Sequence, residues 1–272
     1  MSPELQRWAG PHLAQVEAGL AAAFVGVEPE AFRAALVYPL QTGGKRIRPL
    51  LCLAAAEAVS GTANGAVPAA CALELLHTYS LVHDDLPARD DDAERRGRPT
   101  VHVVFGDATA ILVGDALLTE AFAMVADAPA LVRELAAAGG ASGMVGGQYL
   151  DIHGVAGSMS ELTRLHRLKT GALIRAAVRM GGLAAGADAD ALAALTRYGE
   201  AVGLAFQVAD DVLDAEQDAG PEGPPSYLRF LGRAGAIAEA ARLRDEALAA
   251  VAGLVGAGPL CLLARFAVER TV

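Results

Sequence analysis

The chain has 272 residues, of which 53% are hydrophobic and 5% aromatic, and its formal net charge is −10 at pH 7. The acidic balance argues against nucleic acid or anionic membranes as partners. No stretch reaches the about 18 uninterrupted strongly apolar residues that a membrane span needs, and an alanine- and leucine-rich composition with few β-branched runs favours helix over strand.

In chain order, residues 3–25 read as an amphipathic helix and 29–38 as a shorter one. The opening "MSPELQRWAG" lacks a basic region followed by an apolar core, so no secretory signal is expected there. "QTGGKRIRP" (41–49) is a Gly-Gly break, a basic turn, and Pro49 at a helix start. Residues 50–60 continue as a buried helix, "GTANGAVP" is a loop, and 68–86 form a long helix ending near Pro87. Helices follow at 107–126 and 129–150, then a Gly-rich loop at 154–158. Ser160 is the expected N-cap of a helix over 161–185. Another helix spans 188–217, "DAGPEGPPSY" (218–227) breaks the chain, and 228–254 and 259–269 are the last helices. Cys52, Cys71 and Cys261 lie far apart in apolar helical contexts, as expected of reduced core thiols in a cytoplasmic protein. With no lasting strand alternation, no repeat and no linker, the expectation is one all-α domain over 1–272, a helical bundle with its most apolar helices at the centre.

Two acidic clusters stand out, each at the polar end of an apolar helix. In "AFQVADDVLDAEQD" (205–218), Asp210 and Asp214 are spaced i, i+4 and share a face with Gln207. In "LVHDDLPARDDDAERRGRPT" (81–100), Asp84 lies two turns after His77, and a helix end at Pro87 would return Asp90 toward Asp84. An ordinary solvated charge run explains either cluster alone and both together poorly. Carboxylates converging on a cavity need cations, and an all-oxygen set suits Mg²⁺, which bridges to substrate phosphates. Lys45, Arg46 and Arg48 behind Gly43–Gly44, Arg95 and Arg96 after the first cluster, and Lys169 in "HRLKTGALI" supply matching positive charge.

On these stretches the chain resembles the trans-isoprenyl diphosphate synthases, the polyprenyl synthetase family. "GGKRIRP", "ELLHTYSLVHDDLPARDDDAERRGRPT", "GGQYLDI", "HRLKTGALI" and "FQVADDVLD" stand in the family's order. The resemblance implies an all-α isoprenoid synthase fold around a deep central cavity, and a homodimer. The implied reaction is head-to-tail condensation of an allylic diphosphate, dimethylallyl or geranyl, with isopentenyl diphosphate. Three Mg²⁺ per site are implied, with Asp84, Asp90 and Asp210 as direct ligands and Asp85, Asp211 and Asp214 as further ligands or their support. Arg95 and Lys169 would hold the allylic diphosphate, and Lys45, Arg48, His77 and Arg96 the isopentenyl diphosphate. Thr170 and Gln207 would face the developing cation, and bulky Tyr79 beside small Ser80 suggests a C15 product, farnesyl diphosphate. Two departures stand against this pattern: "DAEQDAGPEGPPSYLRFLG" lacks the lysines usual after the second motif, and Arg89 replaces an apolar residue within the first. A weakened or regulatory homologue and a geranyl or geranylgeranyl diphosphate producer stay open as alternatives.

Overall fold

The computed structural model describes residues 1–154, 157–214 and 226–269, and of Asp214 only the backbone. Helices α1 (Pro3–Ala22), α2 (Glu30–Val37), α3 (Ile47–Ser60) and α4 (Val67–Asp84) lead into a two-residue antiparallel ladder, β1 (Glu94–Arg95) with β2 (Arg98–Pro99). Then come α5 (Val101–Phe105), α6 (Asp107–Ala123), α7 (Pro129–Gly139), α8 (Met144–Ile152), α9 (Met159–His166), α10 (Ala172–Ala184), α11 (Ala189–Asp214), α12 (Tyr227–Ala250) and α13 (Gly258–Glu269). The all-α expectation holds.

Helices α3, α4 and α10 are the centre of the bundle. Leu50, Leu51, Leu53, Leu73, Leu75, Leu76, Leu173 and Met180 on them are fully excluded from solvent. Helix α4 with the turn before it, Asn64–Asp84, has the length and hydropathy of a membrane crossing, yet 67% of its most apolar window is buried inside the bundle. Its apolar sequence is that of a core helix, wrapped on all sides. A second, smaller core joins α9, the last half of α11 and α12 through Leu162, Leu165, Val208, Val212, Tyr227 and Leu243. Cys52 and Cys71 are buried and Cys261 is partly so, and all three are free thiols.

Several sequence-based boundaries move. The helix expected over 129–150 is two helices, because Gly140 adopts extended backbone and Gly143 another non-helical conformation between α7 and α8. The expected N-cap Ser160 lies inside α9. Ser158 is the cap, in a full capping box with Glu161. The helix expected over 161–185 is interrupted at Arg167–Gly171 by a wider π-type turn, a feature frequent at functional sites. The short helix α5 and the β1–β2 ladder escape sequence reading because each is too short for periodicity to register.

Candidate active site

Helix α4 stops at Asp84, and Pro87 forces a tight turn. The Arg89 N–H donates to Leu86 O at 2.8 Å, and the Asp90 N–H donates to Asp84 O at 3.0 Å. The chain thus doubles back and brings Asp90 beside Asp84. Asp84 faces a cavity of about 510 Å³ lined also by Arg48, His77, Tyr79, Ser80, Arg89, Gln148, Lys169 and Thr170. Burial pushes the Asp84 carboxyl above its usual pKa range, and Arg89 and Lys169 only partly oppose this. Asp84 forms an ion pair with Arg89. Asp85 is buried, and its Oδ1 accepts from Arg95 Nε at 2.6 Å. Arg95 also reaches Asp92 at 3.4 Å. Burial raises the Asp85 pKa despite its bond from Arg95.

Across the cavity the π-type turn presents Lys169 and Thr170. Lys169 Nζ lies 2.5 Å from Asp151 Oδ2, and Thr170 Oγ1 donates to Gln207 Oε1 at 3.0 Å. Gln207 Nε2 donates in turn to Asp211 Oδ1 at 3.2 Å. Asp211 Oδ2 accepts the Tyr227 N–H at 2.7 Å, which ties the second acidic cluster to the start of α12. Helix α8 comes close enough to meet this turn because position 147 is glycine: a Cβ there would stand 2.2 Å from the Lys169 backbone nitrogen. The side chain of Asp214 lies outside the described residues.

The basic residues divide. Arg46 adopts a left-handed backbone, φ 46°, which sends neighbouring side chains in opposite directions. Arg46 turns inward to Glu74 at 2.7 Å and Glu17 at 2.8 Å and donates to Leu40 O at 2.5 Å. Glu74 and Glu17 more than offset the burial that would lower its pKa. Its role is to anchor the basic turn. Lys45 points away from the cavity, with Nζ 6.0 Å from the centroid of Phe266 on α13. Arg48 reaches the cavity; burial, opposed by Glu74, brings its pKa down to about 10. His77 is neutral: burial first, then Arg48 and Arg96, hold its pKa well below the usual value. Arg96 donates to Gly43 O. Gly44 has φ +138°, a backbone conformation that favours glycine, and the Arg96 guanidinium packs against it.

Tyr79 and Ser80 both line the cavity one turn before Asp84. Tyr79 is 8% exposed and meets His83 edge-on at 5.7 Å. His83 is itself fixed by Ile111 O at 3.0 Å. Two contributors escape the sequence reading. Asp151, inside "GGQYLDI", is the partner of Lys169, and Glu74 is the partner of Arg46. Both lie within family-like stretches, Asp151 in "GGQYLDI" and Glu74 at the start of "ELLHTYSLVHDD"; Glu74, an acid in an apolar helix, also signalled a need for a buried partner.

The available donor set fits a hard divalent cation. Asp84 lines the cavity, Asp85 and Asp90 belong to the turn beside it, and Asp210 and Asp211 stand near the end of α11, so every candidate donor is a carboxylate oxygen. Among the described residues no three acidic, histidine or cysteine side chains already form a metal cluster. Asp84 and Asp85 are instead held by arginines, so a cation would exchange with ion pairs.

A helical bundle of this kind, with a cavity at an acid-bearing helix end, is the isoprenoid synthase fold. The chain belongs to the polyprenyl synthetase family, whose sequence model matches residues 29–225. It is 48% identical over 189 residues to a geranylgeranyl diphosphate synthase of Cyanophora paradoxa, covering 65% of this chain and 63% of that protein. It is 50% identical over 194 residues to a farnesyl diphosphate synthase of Escherichia coli (strain K12), covering 66% of this chain and 65% of that one. The matched part thus spans just under two thirds of these relatives. A solved FPP/GFPP synthase from Zymomonas mobilis superposes with a TM-score of 0.91 at 35% identity, covering 98% of this chain and all of that one.

Proposed function

We propose that the protein is a short-chain prenyltransferase that joins an allylic diphosphate to isopentenyl diphosphate, with farnesyl diphosphate as product. The observation that carries this reading is one cavity lined by Asp84 and Lys169, by Arg48 and neutral His77, and by Tyr79 and Ser80. Two separate charged zones on one largely apolar space match two diphosphates and a hydrocarbon chain.

Asp84, Asp90 and Asp210, supported by Asp85, Asp211 and Asp214, would hold up to three Mg²⁺, which when bound would neutralise the departing diphosphate. Lys169 and Arg95 would exchange their present carboxylate partners for oxygens of the allylic diphosphate. Arg48, Arg96 and the N–H of neutral His77 would hold the isopentenyl diphosphate; Lys45 would contribute only long-range charge. The allylic C–O bond breaks, and the electron pair leaves with pyrophosphate. The polar oxygens of Thr170 and Gln207 face the allylic cation, while the apolar wall excludes water. The isopentenyl double bond attacks the cation, and the resulting tertiary cation loses a proton to the pyrophosphate. The Tyr79 ring, braced by His83, limits the product to C15.

A homodimer is part of this reading. Val103, Val104, Ile111 and Leu112 on α5 and α6 are 46–56% exposed, an apolar face suited to a second copy. The free thiols fit a cytoplasmic setting. The test is incubation with Mg²⁺, isopentenyl diphosphate and either dimethylallyl or geranyl diphosphate, followed by product sizing. A C15 product is expected. No condensation with either primer would overturn the reading, and a longer product would overturn the role given to Tyr79.

A further inference from the structure

The least expected residue in the first acidic cluster is Arg89. The turn at Pro87 fixes its backbone through the Arg89 N–H to Leu86 O bond at 2.8 Å. Its side chain runs back over the end of α4 and lines the cavity with Asp84, Tyr79 and Lys169. Only 23% of that side chain is exposed, and it pairs with Asp84. The pairing leaves donors over: Arg89 Nε is shielded from solvent and has no hydrogen-bond acceptor among the described residues. A guanidinium presents its donors in a rigid fork, and Asp84, held at Nη2, leaves the neighbouring Nε–H of the same edge for a second anionic oxygen. Buried donors of this kind are normally satisfied, so this one points to an absent acceptor.

The charge distribution around the cavity favours the same ligand. No lysine or arginine lies between Arg197 and Arg229 in the sequence. At the rim, Arg95 is engaged with Asp85 and Asp92, and Lys169 with Asp151. Arg48 also has a buried Nε without an acceptor, but it belongs with His77 and Arg96, the zone assigned to the other diphosphate.

We infer that Arg89 is a substrate-binding residue: it bridges Asp84 and the diphosphate of the allylic substrate, giving that diphosphate a fixed organic cation beside Lys169. This rests on the synthase reading above and adds to it a contact specific to one of the two substrates. The contact is charge-assisted, and it does not depend on bound metal.

The test is calorimetric titration with two probes, in metal-free buffer and again with Mg²⁺. One probe is a geranyl diphosphate analogue with sulfur replacing the bridging oxygen, which resists ionisation; the other is isopentenyl diphosphate. Arg89→Met is expected to weaken the allylic analogue about 10- to 100-fold in both buffers, in line with loss of a charge-assisted bond. Isopentenyl diphosphate should bind within about twofold of wild type, which also reports that the fold is intact. Arg89→Lys, which keeps the charge and loses the fork, should recover part of the loss. Equal losses for both probes would make Arg89 structural and overturn the inference. So would tighter binding of the analogue by Arg89→Met in Mg²⁺, since Arg89 would then be a place-holder for metal. If wild type binds both probes and Arg89→Met matches it, the Arg89 contact alone falls. If wild type binds neither probe, the synthase reading falls with it.

Discussion

The basic wall of the cavity and its acidic rim are built on opposite principles. Around the wall, Arg46 and Glu74 are each buried, pair at 2.7 Å, and hold the turn that carries Arg48. That arrangement is assembled before any ligand arrives, and desolvation is its cost. At the rim, Asp84 and Asp85 sit at a helix end with Arg89 and Arg95, whose side chains are 23% and 30% exposed. These pairs are partly solvated and can exchange. The difference suggests a fixed site for one diphosphate and an adaptable one for the other.

The largest effects should fall on the rim, and on catalysis. Several kcal/mol of transition-state charge stabilisation depend on metal-binding carboxylates, and about 1.4 kcal/mol is a factor of ten. Asp84→Ala and Asp210→Ala should each lower kcat on the order of 10²- to 10⁴-fold in a Mg²⁺-dependent product assay, with little change in the urea midpoint. Turnover left intact would remove the rim from the mechanism. The wall should answer in the reverse way. Glu74→Gln leaves a buried guanidinium short of a charge partner, and breaking such a pair costs about 3–5 kcal/mol. Because Glu17 still contacts Arg46 at 2.8 Å, the lower end of that range is expected from urea unfolding. A loss of activity without a loss of stability would erase the contrast between the two regions.

How far each region could be read from sequence follows the same division. The return of Asp90 to Asp84 was legible because the two flank Pro87. The central helices were legible too, since their apolar runs are long. The wall was only half legible. "GGKR" announces cations, but the direction of each side chain depends on the left-handed backbone at Arg46 and on Glu74, 28 residues away. Lys45 and Arg46 therefore exchanged their expected importance. The breaks at Gly140–Gly143 and at Arg167–Gly171 were also hidden. Tertiary packing sets the second of these, through the approach of Gly147 to Lys169.

A pH titration sharpens the comparison at intermediate magnitude. Burial and then Arg48 and Arg96 hold His77 well below its usual pKa of 6.5. Below that pH the unfolded chain takes up a proton at His77 and the folded chain does not. Stability contributed by neutral His77 is therefore present above pH 6.5 and is lost as pH falls toward the folded value. The slope is about 1.4 kcal/mol per pH unit for one such group. His166, which burial brings down to about 4, adds a second slope in the same window. Urea midpoints from pH 7 to 5 should fall in the wild type. His77→Gln should remove one proton's worth of that slope and His166→Gln the other. An unchanged slope in His77→Gln would mean that the cationic wall is not desolvated as its geometry requires.

The smallest expected effect lies where the rim meets the fold. Asp211 accepts from Gln207 and from the Tyr227 N–H. Helix α12 has Ser226 at its N-cap position without a side-chain cap bond, so Asp211 caps it from across the bundle. A helix cap of this kind contributes about 0.5–2 kcal/mol, and the carboxylate charge favours a helix N-terminus. Asp211→Ala should lower stability by about 1–2 kcal/mol, and Asp211→Asn by less, because the amide keeps one oxygen to accept. If Asp211 serves mainly this cap and the orientation of Gln207, its Asn variant should need only a few-fold more Mg²⁺ for half-maximal turnover, far less than Asp84→Asn. Equal Mg²⁺ dependence in the two Asn variants would place Asp211 in direct contact with metal, and the second acidic cluster would then exchange partners as freely as the first.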